Sequence, residues 1–187
     1  MNMKRAYLPL CVLVFEMGCQ GHAASGSPSS LTSPRPTVIP AGGGEKRFLR
    51  GGTAPLLIKV DPATTGSQRM VLGSSDLPPG DRIGVHRHLQ EDEIIVITRG
   101  TARVQLGRQF VTASAGATVF IPQGTCIGVT NIGSDTLSNF FVFSSPGFER
   151  ALRAVSSVPG EPPKPLTPQL RQAAFHDAHA VADPSDC

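Results

Sequence analysis

The stretch GDRIGVHRHLQEDEIIVITRG, residues 80–100, decides how the whole sequence is interpreted. His86 and His88 lie two residues apart in a run typical of a strand, so both imidazoles project from one face. A hairpin loop over residues 89–92 would then bring Glu93 across from His88. Two imidazoles and one carboxylate are suitable ligands for Fe, Mn, Zn, Ni or Co. The stretch therefore predicts a metal site on adjoining strands, although a His-x-His pair also occurs on exposed strands without any function.

The sequence around this stretch predicts an all-β domain. Between Pro55 and Ser145, short runs rich in Val, Ile, Thr and Phe alternate with turn sequences such as PPGD, SAGA and NIGSD. This short, regular spacing favours an antiparallel barrel or sandwich over βαβ units. The predicted strands are LLIKV, RMVLGSSDL, GVHRH, EIIVIT, ARVQL, QFVTAS, TVFIP, IGVTNI and LSNFFVFSS.

The pattern changes after the last of these strands. FERALRAVSS, residues 148–157, and PQLRQAAFHDAHAV, residues 168–181, both predict helices. Thr167 is suited to cap the second helix and Pro168 to its first turn. We expect both helices to pack outside the barrel.

The N-terminal residues predict export. Lys4 and Arg5 precede an apolar run, residues 6–15, which is the layout of a secretory signal and too short to span a bilayer. Cleavage could fall after Ala23 or Ala24, and the second site would define a signal peptide over residues 1–24. Alternatively, FEMGC resembles a bacterial lipoprotein box that ends before Cys19, with Glu16 in place of the usual leucine. The protein is therefore expected in the periplasm, outside the cell, or attached to a membrane through a lipid anchor alone.

The composition is that of a soluble protein of about one domain, with 187 residues, 40% hydrophobic and 17% charged residues. Residues 25–44 are rich in Ser, Pro and Gly and predict a disordered linker. No basic run accompanies the net charge of +3, which argues against a nucleic-acid partner. Export would permit a disulfide between Cys126 and Cys187. Two unpaired thiols remain the alternative.

Two spaced motifs in the predicted strands resemble those of the cupin superfamily, specifically its small single-domain bacterial members. The first motif combines glycines with His-x-His and a glutamate, and the second combines glycines with a proline and an asparagine. The matching positions are Gly80, His86, His88, Glu93 and Gly100, then Gly116, Pro122, Gly124 and Asn131. The resemblance covers about Pro55 to Phe143. It implies a jelly-roll-like antiparallel barrel, the double-stranded β-helix, over residues 45–146, a helical extension over 147–187, and a homodimer.

One position departs from the second motif. Ile127 stands where the family has its fourth metal ligand, a histidine. A three-ligand site of His86, His88 and Glu93 is one explanation, and a binding cup without a functional metal is another. A substitute ligand is the third. Strand alternation directs Cys126 away from the cavity, and His176 with His179 would need a helix that reaches the barrel mouth.

The resemblance also implies a function. A divalent Fe, Mn, Zn or Ni ion held by His86, His88 and Glu93 would support a dioxygenase-like reaction on a small oxygenated compound. Glu93 would then serve as the catalytic base. The alternative is a cupin that binds a small molecule without catalysis, with Ile127 forming an apolar wall in a degenerate metal site.

Overall fold

The computed structural model of the chain describes residues 33–49 and 54–187. The predicted signal peptide, Cys19 and the first part of the linker lie outside these ranges. Within them, no helix is long and apolar enough to cross a bilayer. The strands are β1 (Glu45–Leu49), β2 (Ala54–Val60), β3 (Val71–Leu77), β4 (Arg82–His88), β5 (Glu93–Arg99), β6 (Thr101–Leu106), β7 (Gln109–Ser114), β8 (Thr118–Ile121), β9 (Ile127–Asn131), β10 (Leu137–Phe143) and β11 (Ala180–Ala182), and the helices are α1 (Glu149–Ala154) and α2 (Pro168–Asp177).

Two antiparallel sheets form the domain, which confirms the all-β prediction. One has the strand order β1-β2-β3-β10-β5-β8 and the other the order β11-β4-β9-β6-β7. Buried residues alternate with more exposed ones along β3 and β10 because one face of each strand turns inward. The inward residues of both sheets build a single apolar core, with Ile97, Val104 and Leu137 fully buried.

The connection between β4 and β5 differs from the prediction. The expected hairpin over residues 89–92 is a crossover, because β4 pairs with β9 and β11 whereas β5 pairs with β10 and β8. The four-residue loop carries the chain from one sheet to the facing one, as in a jelly roll. Glu93 therefore approaches His88 across the barrel interior instead of along a strand pair.

Two further motif residues, Asn131 and Gly100, stabilise the turns that connect the strands. The buried Asn131 side chain donates hydrogen bonds to the carbonyls of Leu77, at 2.9 Å, and Asp135, at 2.8 Å, and it accepts one from the Gly133 amide. Gly100 has a φ of 84°, a conformation that favours glycine, and a Cβ there would lie 3.0 Å from the Leu137 Cα.

Buried and half-buried ionic groups attach α1 to the first two strands. Arg153 contacts Glu45 at 2.5 Å and the fully buried Asp61 at 2.6 Å. Arg47 donates to the Ser156 hydroxyl and to nearby carbonyls at the end of α1. Each charge is paired, as buried charges must be. At the other side of β2, Lys59 donates to the carbonyls of residues 40, 41 and 43, so the last part of the predicted linker contacts the barrel.

The C-terminal segment departs from the prediction at its end. Thr167 caps α2 through a hydrogen bond from the Leu170 amide, and Pro168 begins the helix, as expected. The helix ends at Asp177 instead of continuing to Val181. His179 then adopts a φ of 53°, and the chain turns into β11, which pairs with the histidine strand β4.

A disulfide fastens this segment to the barrel. Cys187 is bonded to Cys126, the residue that precedes β9. The pairing that the sequence left open is therefore present. The disulfide links the residues after β11 to the end of the barrel that carries His86 and His88.

Candidate metal site

The three predicted ligands lie together at one end of the barrel. His86 and His88 come from β4 and Glu93 from β5 of the facing sheet, and each offers a ligand atom within 4.8 Å of the others. All three side chains are buried. His86 and His88 both point inward because side chains alternate along a strand. Arg87, between them, points outward and contacts Asp186. The arrangement is a group that could hold one metal ion.

His86 is held in the form that a metal ligand requires. Its Nδ1 lies 2.9 Å from the Gly84 carbonyl, which can only accept, so Nδ1 carries the proton and Nε2 keeps its lone pair. Burial, aided by the neighbouring His88, lowers the pKa of His86 from 6.5 to about 3. The imidazole is therefore neutral at neutral pH.

His88 and Glu93 have buried polar atoms that the described residues leave without hydrogen bonds. These atoms are His88 Nδ1, His88 Nε2 and Glu93 Oε2. His88 Nε2 lies 3.4 Å from Glu93 Oε2, too long for a good hydrogen bond. It suits two ligands of one ion, because ligand atoms ~2.0–2.2 Å from a metal lie roughly 3–3.5 Å apart. Buried polar groups normally have partners, so the residues present fit a divalent cation.

Glu91 is a buried acidic residue of the site that sequence reasoning missed. It is 2% exposed, and its Oε2 lies 3.8 Å from His88 Nδ1, on the opposite side of the ring from Glu93. Burial raises the pKa of Glu91. A Cβ at Gly147 would lie 2.5 Å from Glu91 Oε1, so the turn before α1 covers this carboxylate. Loop residues are usually exposed, so nothing in LQED, residues 89–92, distinguished Glu91 beforehand.

Ile127 adds no ligand to this group, and the residues considered as substitutes, Cys126, His176 and His179, do not join it. Ile127 is fully buried and lies directly opposite His86 in the β4–β9 pair, so both side chains occupy the same face. Cys126 is bonded to Cys187 and has no free thiolate to offer. His176 is 91% exposed in its side chain. His179 lies beyond the end of α2, so the expected helical pair of histidines does not form.

Aromatic side chains close the barrel end over the histidines. The ring of Phe148, before α1, stacks on His86 at 5.4 Å between centroids, and Phe175 of α2 meets His86 edge-on at 5.6 Å. Phe148 also lies 4.3 Å from the His88 ring. Apolar rings beside α1 and within α2 therefore cover the barrel mouth.

A cavity of about 100 Å³ lies between this aromatic cover and the sheets. Its walls are mainly apolar, with Phe141 and Phe143 among the barrel residues. The polar side chains that line it are Ser75, His86, Glu93, Asn139 and Arg171. Two of the three candidate ligands thus face a space that a small molecule can occupy.

Comparisons with known proteins agree with this geometry. Residues 73–143, which include β4, β5 and β9, match the family model of the cupin domain. This part of the chain is a cupin domain. A search of curated proteins gave no match.

Solved structures show the same cupin fold. A predicted oxalate decarboxylase from Thermotoga maritima is 20% identical, with a TM-score of 0.52 over 59% of this chain and 100% of that chain. KdgF from Halomonas sp. is 14% identical, with a TM-score of 0.51 over 60% of this chain and 96% of that chain. At these identities the likeness concerns the fold alone.

The lowered pKa of His86 predicts acid destabilisation of the cupin domain. Between pH 6.5 and about 3, the unfolded chain binds a proton at this position that the folded chain does not. The free energy of unfolding therefore falls as the pH drops through this range, by up to about 1.4 kcal/mol per pH unit. Urea unfolding of metal-free protein at several pH values measures the slope. His86→Asn should reduce it.

His176→Asn is the matched control, because it removes an exposed imidazole from the same chain. It should keep the wild-type dependence on pH. Equal slopes for the wild type and both variants would contradict the assignment of a buried neutral imidazole at position 86.

Proposed function

We propose that the cupin domain binds one divalent transition metal through His86, His88 and Glu93 and uses it to bind a small molecule. The observation that carries the proposal is the set of buried atoms without described hydrogen bonds, His88 Nε2 and Glu93 Oε2 among them. A cation between them would satisfy both atoms, and the adjoining cavity offers its open side to a ligand.

Each residue of the site has a distinct task in this proposal. The Gly84 carbonyl orients the His86 ring and keeps Nε2 free to ligate. Glu91 faces the other nitrogen of His88 and, as a carboxylate behind a histidine ligand, would fix its ring orientation. A bound divalent ion would supply Lewis acidity toward a ligand oxygen.

The remaining residues control protons and water. Glu93 lines the cavity and is buried, so its carboxylate is placed to accept a proton from a bound compound. Phe148 and Phe175 exclude water from the histidines. Exclusion of water strengthens the electrostatic interactions between this carboxylate and a ligand.

Two functions fit such a site. The first is a dioxygenase-like oxidoreductase that acts on a small oxygenated compound, supported by the similarity of two histidines and one carboxylate to oxygen-activating iron sites. The second is a non-enzymatic binding cup, supported by Ile127 beside His86 and by the apolar cavity walls. We favour the metal-dependent site and keep the binding cup as its alternative.

Metal content tests the proposal directly. The full chain should retain about one equivalent of Fe, Mn, Zn or Ni after dialysis, because three ligands converge on one point. His86→Ala combined with His88→Ala should abolish retention, whereas His176→Ala combined with His179→Ala should not. Elemental analysis of all three proteins measures this. Equal metal in the two double variants would exclude the proposed ligands.

Two further measurements extend this test. Ile127→His places an imidazole opposite His86 and should tighten metal binding by at least about tenfold. Oxygen uptake by the loaded protein in the presence of a bound compound would support the dioxygenase-like function. Binding of that compound without oxygen uptake would support the binding cup.

The role of Glu91 is tested by Glu91→Gln, which keeps the size of the side chain and removes its charge. Loss of the carboxylate behind His88 should weaken metal affinity by about 10 to 100-fold. Competition with a chromophoric chelator measures the affinity. Glu161→Gln, at an exposed position, is the control. An unchanged affinity in a folded Glu91→Gln protein would show that Glu91 does not position His88.

We also propose that the protein is exported, and the disulfide between Cys126 and Cys187 supports this. We keep the expected homodimer as part of the proposal. The outer face of the six-stranded sheet presents Phe120, 58% exposed, next to Ile94, and a second copy would bury this apolar surface.

Native mass spectrometry of the protein from an exporting bacterial host tests these features together. The expected subunit begins at residue 25, or at a lipidated Cys19, and lacks two hydrogens because of the disulfide. Two subunits should be present per particle. An intact N terminus with free thiols would contradict export, and a single subunit per particle would contradict the homodimer.

A further inference from the structure

A pair of polar residues lies in the cavity away from the candidate ligands. Asn139 of β10 and Ser75 of β3 are register partners, and both line the cavity. We propose that the cavity binds an uncharged one-ring aromatic molecule whose hydroxyl group donates a hydrogen bond to Asn139 in this pair. This inference rests on the proposed small-molecule function and specifies its ligand.

Asn139 and Ser75 are buried polar residues in a mainly apolar cavity wall. Asn139 is 2% exposed, and within the described residues its side chain bonds only to Ser75, through the hydroxyl at 2.9 Å and longer contacts at 3.3 and 3.4 Å. An asparagine side chain has two donor hydrogens and two acceptor positions. The contacts to Ser75 use both donor hydrogens and one acceptor position, which leaves one acceptor position on Asn139 Oδ1 for a ligand. A ligand hydroxyl that donates to this position would complete the hydrogen bonding of the buried amide.

The pair lies far along the strand from the metal end. Glu93 is the register partner of Phe143, and Asn139 is the partner of Ile97. Along β10, Asn139 is four residues from Phe143, the partner of Glu93, which corresponds to roughly 13 Å. Phe141 lines the cavity between them. A ligand anchored at Asn139 therefore extends past an aromatic wall toward Glu93 and His86.

The size and walls of the cavity restrict the ligand to one ring. Its volume is about 100 Å³. A protein cavity of ~150 Å³ lined by Leu, Ile and Phe holds benzene, so this smaller cavity takes at most one ring and excludes a fused bicyclic molecule. Phe141, Phe143, Phe148 and Phe175 surround the space, and aromatic rings prefer offset or edge-on contacts with one another.

The charges at the cavity argue for an uncharged ligand. Arg171 is the one cationic side chain among the described lining residues, and it already donates to Asp183 and to the Val85 carbonyl. Its guanidinium also lies 4.9 Å from the Phe175 ring centroid. In the metal-free protein, a ligand carboxylate would therefore have no free cation near Asn139, and the Glu93 carboxylate would repel it at the other end.

Fluorine NMR of the full chain without metal provides the test. The probes are 4-fluorophenol, fluorobenzene, 4-fluorobenzoate and 6-fluoro-2-naphthol. We expect 4-fluorophenol to bind about tenfold more tightly than fluorobenzene, the effect of one hydrogen bond. The benzoate and the naphthol should bind at least about tenfold more weakly than the phenol. The bound phenol should also shift the Asn139 side-chain amide signals.

Asn139→Leu should remove the preference for the phenol over fluorobenzene, and Gln109→Leu, an amide replacement on the exposed face of β7, should keep it. A preference that survives Asn139→Leu would overturn the role of the pair, and naphthol binding as tight as phenol binding would overturn the size limit. If Asn139→Leu does not fold, unshifted Asn139 amide signals in the wild type overturn the role equally. Metal retention is measured separately, so its loss would contradict the proposed metal site without affecting this result.

Discussion

The pairing of strand β4 on both of its edges is the constraint on which the site depends. β9 lies on one side, with Ile127 opposite His86, and β11 lies on the other, with Ala180 opposite His88. A strand bonded on both edges has no freedom to shift its register by one residue, which would turn both imidazoles outward. The Cys126–Cys187 disulfide then holds the residues that follow β11 to the residue that precedes β9. The C-terminal extension is therefore part of the site's framework.

Electrostatics explains why this buried group favours a cation. The lowered pKa of His86 makes its imidazole neutral, and two carboxylates, Glu91 and Glu93, flank His88. Glu149 lies near enough to Glu91 to raise its pKa further, in addition to the effect of burial. Negative charge in a water-poor space is unfavourable unless it is paired. A divalent ion between the imidazoles and Glu93 would supply the missing positive charge.

The sequence predicted most of the fold because the strands alternate clearly between inward and outward residues. It also predicted the group of His86, His88 and Glu93, because two residues that are two positions apart on a strand point to the same face. It could not distinguish a hairpin from a crossover at residues 89–92, because both connect two strands through a short loop. The helical pattern of residues 178–181 was overridden by pairing with β4, a tertiary interaction that local propensity does not contain.

Ile127, at the position of the motif histidine, and the aromatic rings that cover the barrel end both affect the candidate metal site. A metal site open to water can replace a missing ligand with solvent, but Phe148 and Phe175 cover this one and Ile127 adds an apolar wall. In such surroundings each remaining charged ligand interacts more strongly with an ion than it would in water. The same apolar walls favour an aromatic ligand. In the proposed metal site, Ile127 thus contributes an apolar wall instead of a fourth ligand, and Asn139 lines the cavity in which a ligand would be selected.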